Sequence, residues 1–145
     1  MASIRAQIID DLLAALNVSG RPSGIPAAER LRLEQFDDAD LPAIAVYPKS
    51  DFVMPATSRG GPVNKRELVV AIECRAGGDT AEADLDELVV WVSQALYSTD
   101  STLIHDALEA STTFNFDLGR VLHGQAVVLV TIHYQAARSS QDRVS

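Results

Sequence analysis

The most constraining feature of this chain is an apolar run near its C-terminus that has no polar face. Residues 126–132 read Ala-Val-Val-Leu-Val-Thr-Ile, inside a longer strand-like stretch from Leu122 to Ala136. A strand that is apolar on both faces is typical of the interior of a sheet. The sequence therefore predicts that this stretch is the longest strand and lies centrally.

Two segments carry apolar residues at the spacing of an α-helix. The first runs from Ile4 to Leu16, begins after Ser3 at the N-cap position and ends at Asn17, before a stretch rich in Gly, Ser and Pro. The second follows Gly77-Gly78 and opens with the capping-box pattern Asp79-Thr80-Ala81-Glu82. Its expected buried stripe is Leu85, Leu88, Val89, Val92 and Leu96, with Trp91 on the flank.

The remaining apolar segments predict strands. The stretch from Leu41 to Tyr47 is apolar on both faces, which indicates an interior strand bounded by a proline near each end. Arg66 to Ala76 alternates and predicts one buried and one half-covered face, while residues 28–36 fit an edge strand or a helix, and we favour the strand. Thr112 to Leu118 predicts a half-buried strand, after a short helical turn around Thr102–Leu108.

These elements together predict an α+β fold. Consecutive strands without crossover helices favour a mostly antiparallel mixed sheet of four to five strands, with the two α-helices packed on one face. The length of 145 residues fits a single domain, which we place at residues 1–137. The polar residues 138–145 are expected to form a flexible C-terminal tail.

The charge balance disfavours nucleic acid as a ligand. Twelve basic residues stand against 20 acidic ones, for a formal net charge of −8. An acidic surface repels phosphate, although it also lets a duplex pass without sticking. The single cysteine, Cys74, is expected to be a buried strand residue in a reducing compartment. We expect neither a signal peptide nor a membrane span.

The sequence offers no convincing catalytic, cofactor-binding or metal-binding residues. His123 and His133 lie roughly 33 Å apart if strand residues rise by ~3.3 Å each, and His105 has no His or Cys at ligand spacing. Acid pairs such as Asp10-Asp11 are explained as solvated faces, turns or helix N-termini. The glycine turn before Asp79 lacks the phosphate-binding patterns. We therefore expect a protein that is not an enzyme.

The stretch from Lys49 to Lys65 is predicted to be a long loop. Long loops in compact domains are commonly functional or mobile. Its apolar side chains would be exposed at a hairpin tip and so mark a partner surface, or else Phe52 would fold back as a lid on its own sheet. The expected contact residues are Asp51, Phe52, Val53, Met54, Arg59 and Lys65.

Several short strings in this order resemble the tail terminator (minor tail) proteins of long-tailed bacteriophages. They are Leu41-Pro42-Ala43-Ile44-Ala45-Val46-Tyr47, then a long loop, then Arg66-Glu67-Leu68-Val69-Val70. The likeness continues through Asp84-Leu85-Asp86-Glu87-Leu88 and Ala95-Leu96 and includes the N-terminal helix, so it covers most of the chain.

The resemblance implies a structural virion protein with no catalytic residues and no required cofactor. Such a protein forms a hexameric ring on the last ring of tail-tube protein, stops polymerisation and presents a surface to a head-completion or neck protein. DNA passes through the ring without specific binding. The implied location is the tail or neck of the virion, after assembly in the host cytoplasm. The alternatives are another neck or head–tail connector ring, or a small intracellular ligand-binding or enzymatic domain whose site forms at a subunit interface.

Overall fold

The computed structural model describes residues 3–18, 24–30, 42–53, 63–97, 106–118 and 122–137. The order of elements is the predicted one: helix, two strands, a third strand, helix, two strands. They are α1 (Ile4–Leu16), β1 (Ala28–Arg30), β2 (Ala43–Val53), β3 (Val63–Gly77), α2 (Ala81–Tyr97), β4 (Asp106–Leu118) and β5 (Leu122–Ala137). The five strands form one mixed sheet, so the predicted α+β class is confirmed.

The strand order in the sheet is β1-β2-β3-β5-β4. The pairs β2–β3, β3–β5 and β5–β4 are antiparallel, and only β1 runs parallel to its neighbour, β2. Strand β5, with 16 residues, is the longest, as expected, and it is an interior strand between β3 and β4, although β3 and not β5 is the middle strand of the sheet. Residues 28–30 form the predicted edge strand, and residues 31–36 lie outside the described part of the chain.

A single core cluster contains buried residues of both helices and of the sheet. Paired residues such as Leu68 with Ile132 and Val70 with Val130 point to the same face and are fully buried. The cluster also contains the apolar stripes of α1 and α2. Cys74 belongs to it and is buried, as predicted.

The first helix begins and ends where its sequence predicts. Ser3 is the N-cap, and its hydroxyl oxygen accepts a hydrogen bond of 3.0 Å from the backbone N–H of Ala6. Asn17 ends the helix, and its side-chain amide makes two hydrogen bonds to the backbone of Ala28, at 2.6 and 3.0 Å. The same residue therefore caps α1 and fastens the start of β1.

Several predicted boundaries are wrong. Strand β2 continues past Pro48 to Val53, because a bulge between Pro48 and Ser50 accommodates a residue that lacks a backbone N–H. Strand β3 includes Gly77, and the chain turns only at Gly78, whose φ of +93° suits glycine. The second helix begins at Ala81, one residue later than a cap at Asp79 implies. The Thr80 carbonyl accepts from the N–H of Asp84 at 2.9 Å, and its hydroxyl donates to the Asp84 carboxylate.

The fourth strand differs most from its prediction. The expected helical turn around Thr102–Leu108 is wrong for residues 106–108, which already belong to β4, and residues 102–105 lie outside the described part. Phe114 and Phe116, expected on the apolar face of a half-buried strand, remain 47% and 42% exposed. The reason is the position of β4 at the outer edge of the sheet, which an alternating pattern alone does not reveal.

Candidate interaction surfaces

The structure places Asp51 in strand β2 and buries it, so it is not a loop residue. Asp51 pairs with Leu68 in register and points to the core face, where its side chain is 7% exposed. Its carboxylate accepts a hydrogen bond of 2.8 Å from Arg5 of α1 and another from the hydroxyl of Tyr134, and it lies 3.6 Å from Arg66. Asp51 therefore fixes the β2–β3 hairpin to α1 and β5.

Of the two residues that follow Asp51, Phe52 points to the face opposite the core, whereas Val53, which pairs with Arg66, lies on the same face as Asp51. Phe52 is 56% exposed and Val53 is also exposed, at the end of β2. The alternative in which Phe52 folds back as a lid is wrong, because Phe52 is paired with Glu67 in the sheet and largely open to solvent. Lys65 is an exposed residue of strand β3, not of a loop. Met54 and Arg59 lie outside the described residues.

A second exposed surface lies between α2 and β4, and we call it the α2–β4 cleft. The hydroxyl of Ser93 donates a 3.0 Å hydrogen bond to Glu109 of β4, which shows that this flank of the helix faces the strand. Residues spaced by three or four positions share a flank. The cleft is therefore lined on the helix by Glu82, Asp86, Val89 and Ser93, and on the strand by Glu109, Phe114 and Phe116.

Gly124 of β5 lies at the point where side chains from α2 and β4 approach the sheet most closely beside this cleft. A Cβ atom at Gly124 would lie 2.5 Å from Cδ1 of Leu85 and 3.0 Å from Cε1 of Phe116. Both distances are shorter than van der Waals contact permits, and two side chains thus converge on one glycine. The missing side chain lets α2 approach β5 and lets Phe116 lie against the same point.

Charge is distributed unevenly along the chain. Residues 76–119 contain nine acidic residues and no Lys or Arg. The remaining residues hold all 12 basic residues and 11 acidic ones. Residues 76–119 supply α2 and β4, and three of the nine acids, Glu82, Asp86 and Glu109, line the α2–β4 cleft.

The sheet face opposite the core carries a polar network around Glu73. Its carboxylate is mostly buried and accepts hydrogen bonds from Arg75 at 2.7 Å, Gln125 at 2.8 Å and the Tyr47 hydroxyl at 3.3 Å. Burial, reinforced by the negative charge of Glu73, raises the pKa of Tyr47. The sequence had placed Glu73 on a half-covered face, and the three partners explain how a charge is held there.

Beside this network lies a polar hollow of about 210 Å³. That volume is below the roughly 300–1,000 Å³ typical of small-molecule sites. It is lined by Arg75, Ala76, Asn115, Asp117, His123, Gly124 and Gln125. Within the described ranges, no group of three or more His, Cys, Asp or Glu residues is arranged to hold a metal ion. His123 and His133 both lie on β5, ten positions apart, and His105 is outside those ranges.

The sequence did not identify Phe114, Phe116 or the acidic flank of α2 as surface features. The sequence does carry one signal for them: residues 76–119 contain no Lys or Arg, and such a segment indicates an acidic surface. In the described part of the chain, neither helix is long and apolar enough to cross a membrane. No model of a known protein family matches this chain, and no curated protein was found to match it.

Proposed function

We propose that this protein is a structural virion protein that forms a ring, hexameric in the resembled family, at the head-proximal end of a phage tail tube. There it ends tube polymerisation and provides the surface for head joining. The element order and the strings Leu41–Tyr47 and Arg66–Val70 support the proposal through their resemblance to tail terminator proteins. Its partners are then further copies of itself, the tube protein and a head-completion or neck protein.

The observation that carries the proposal is a pair of exposed apolar side chains, Phe52 and Val53, at the end of β2. Phe52 and Val53 leave much of their surface in water, which is a common property of contact sites between proteins. The adjacent Asp51 accepts hydrogen bonds from Arg5 and Tyr134, so the end of β2 is already ordered in the free protein. A surface that is already ordered loses less conformational entropy on binding.

The net charge fits a ring that surrounds a passing duplex. A net charge of −8 disfavours adhesion to phosphate, so DNA would move through such a ring without specific binding. In this proposal the protein is located in the tail or neck of the virion and assembles in the host cytoplasm.

The deciding experiment adds the purified protein to polymerising tail-tube protein. We expect rings with a central hole under negative stain, and tubes that stop growing once a ring caps one end. Phe52→Ser should weaken capping, whereas Val18→Ser, at an apolar residue of similar exposure after α1, should leave it unchanged. Uncapped tubes of unlimited length would contradict the proposal. A compact dimer that encloses a deep pocket, seen by light scattering and crystallography, would instead favour the interface-site domain.

A further inference from the structure

We propose that the end of the β2–β3 hairpin of one copy, formed by residues 49–53 of β2 and 65–67 of β3, docks in the α2–β4 cleft of a second copy. The inference rests on the proposed self-assembly and identifies the surface that receives the hairpin. The hairpin presents exposed Phe52 and Val53 with the exposed lysines Lys49 and Lys65. On the neighbouring strand, Arg66 is buried beside Asp51, and Glu67, the partner of Phe52, is half buried, so the exposed charged side chains here are the two lysines.

The cleft has the complementary chemistry. Phe114 and Phe116 offer aromatic surface to the apolar end of the hairpin. Glu82, Asp86 and Glu109 surround that surface with negative charge, and all three are exposed. Apolar contact in the centre with opposite charges at the rim is the usual anatomy of a protein interface.

The hairpin cannot reach the cleft of its own chain. Phe52 is level with Glu67, His133 and Asp106 across the sheet, whereas Phe114 and Phe116 pair with Ala126 and Gly124. The two sites are therefore separated by seven to nine residues of β5, which is roughly 25–30 Å along the strands. They are also separated across the sheet by β3 and β5, so the occupant of the cleft must come from another molecule.

Charge disfavours the two symmetric arrangements. A hairpin–hairpin contact would bring Lys49 and Lys65 of two copies together, and a cleft–cleft contact would oppose two sets of carboxylates. Hairpin to cleft is the arrangement in which the charges are opposite. Because donor and acceptor are different surfaces, the contact is heterologous, and copies that add head to tail form a ring where the rotation between neighbours closes.

The test traps the contact with cysteines. A Phe52→Cys copy is mixed with a Phe114→Cys copy under mild oxidation, and disulfide-linked pairs are measured on a non-reducing gel. Leu108→Cys is the matched control, since Leu108 is an exposed residue of β4 on the opposite face of the sheet. The native Cys74 is buried and does not interfere. We expect about tenfold more linked product for Phe114→Cys than for Leu108→Cys, because docking raises the local thiol concentration.

Charge reversal checks the orientation. Lys65→Glu in the Phe52→Cys copy should lower the yield, and Glu82→Lys with Asp86→Lys in the partner copy should restore it. Asp79→Lys with Glu87→Lys, two exposed acids outside the cleft, should not restore it. A misfolded variant would give a low yield with both pairs of reversals. Rescue by Glu82→Lys with Asp86→Lys alone therefore reports a charge contact and not misfolding.

Equal yields for the Phe114→Cys and Leu108→Cys pairs, or preferential linkage of two Phe52→Cys copies, would overturn the inference. The failure of each proposal is distinguishable. If rings cap tubes but the Phe52→Cys and Phe114→Cys copies do not link, only the docking arrangement fails. If the copies link specifically and tubes remain uncapped, docking stands and the tail function fails.

Discussion

At the scale of single residues, Leu88 is a direct probe of the core between α2 and the sheet. It lies in the middle of the buried stripe of α2 and is 2% exposed. Leu88→Ala should lower the free energy of unfolding by ~2–5 kcal/mol through lost burial and a residual cavity. Chemical denaturation measures this loss, and Val90→Ala on the exposed face of the same helix is the control. A loss below about 1 kcal/mol would mean that α2 does not pack as described.

Two buried side chains predict a loss of stability at alkaline pH. Burial raises the pKa of Cys74 to about 12, and burial together with the hydrogen bond to Asp51 raises the pKa of Tyr134. Since both pKa values are higher in the folded state, the associated stability is complete below the unfolded values of about 8.5 and 10. It is lost as the pH rises from there through the folded values.

The measurement is a series of urea midpoints between about pH 8 and pH 11. We expect a midpoint that falls steadily across this range. The native Cys74 thiol should also resist alkylation until the protein unfolds, because the thiolate is the reactive form. A constant midpoint would show that these groups ionise as easily in the folded protein as in the unfolded chain.

At the scale of elements, the contact between α2 and β5 depends on Gly124. Gly124→Ala places a methyl group against Leu85 and Phe116, so we expect a destabilisation of about 1–3 kcal/mol from overpacking. A double-mutant cycle with Leu85→Ala checks the cause, because removing the Leu85 side chain should relieve part of the clash. Strict additivity of the two changes would locate the strain elsewhere.

Strand β4 shows how the position of an element changes the meaning of its sequence. On an interior strand, aromatic residues at alternate positions would be covered by the helical layer. On the outermost strand, Phe114 and Phe116 remain on the helix side of the sheet but extend beyond the cover that α2 provides. Exposed edge strands invite pairing with other chains, and Glu109 and Asp117 are charges of the kind that limit such pairing.

At the scale of the whole molecule, one continuous core predicts cooperative unfolding. Both helices and the buried face of β2, β3 and β5 belong to a single cluster. The only tryptophan, Trp91, donates a hydrogen bond to the carbonyl of Leu16, so its fluorescence reports the contact between the two helices. Denaturation followed by that fluorescence and by far-ultraviolet circular dichroism should give superimposable transitions. Separated midpoints would show that the helices detach before the sheet unfolds.

The sequence alone determined the local elements and their class. Helical spacing predicted α1 with its Ser3 cap and most of the buried face of α2, and the unbroken apolar run of β5 predicted an interior strand. These features follow from near neighbours in the chain, since capping and side-chain periodicity need no distant partner.

Only the tertiary structure decided which surfaces remain open. The chain pattern from Lys49 to Lys65 indicated a loop, yet β2 extends to Val53 and Asp51 is buried, because Arg5, Arg66 and Tyr134 converge on it from three other elements. Phe114 and Phe116 became surface residues because β4 is the last strand. Burial depends on contacts between residues far apart in sequence, and the period-two pattern of a strand is the same at the edge of a sheet as at its centre.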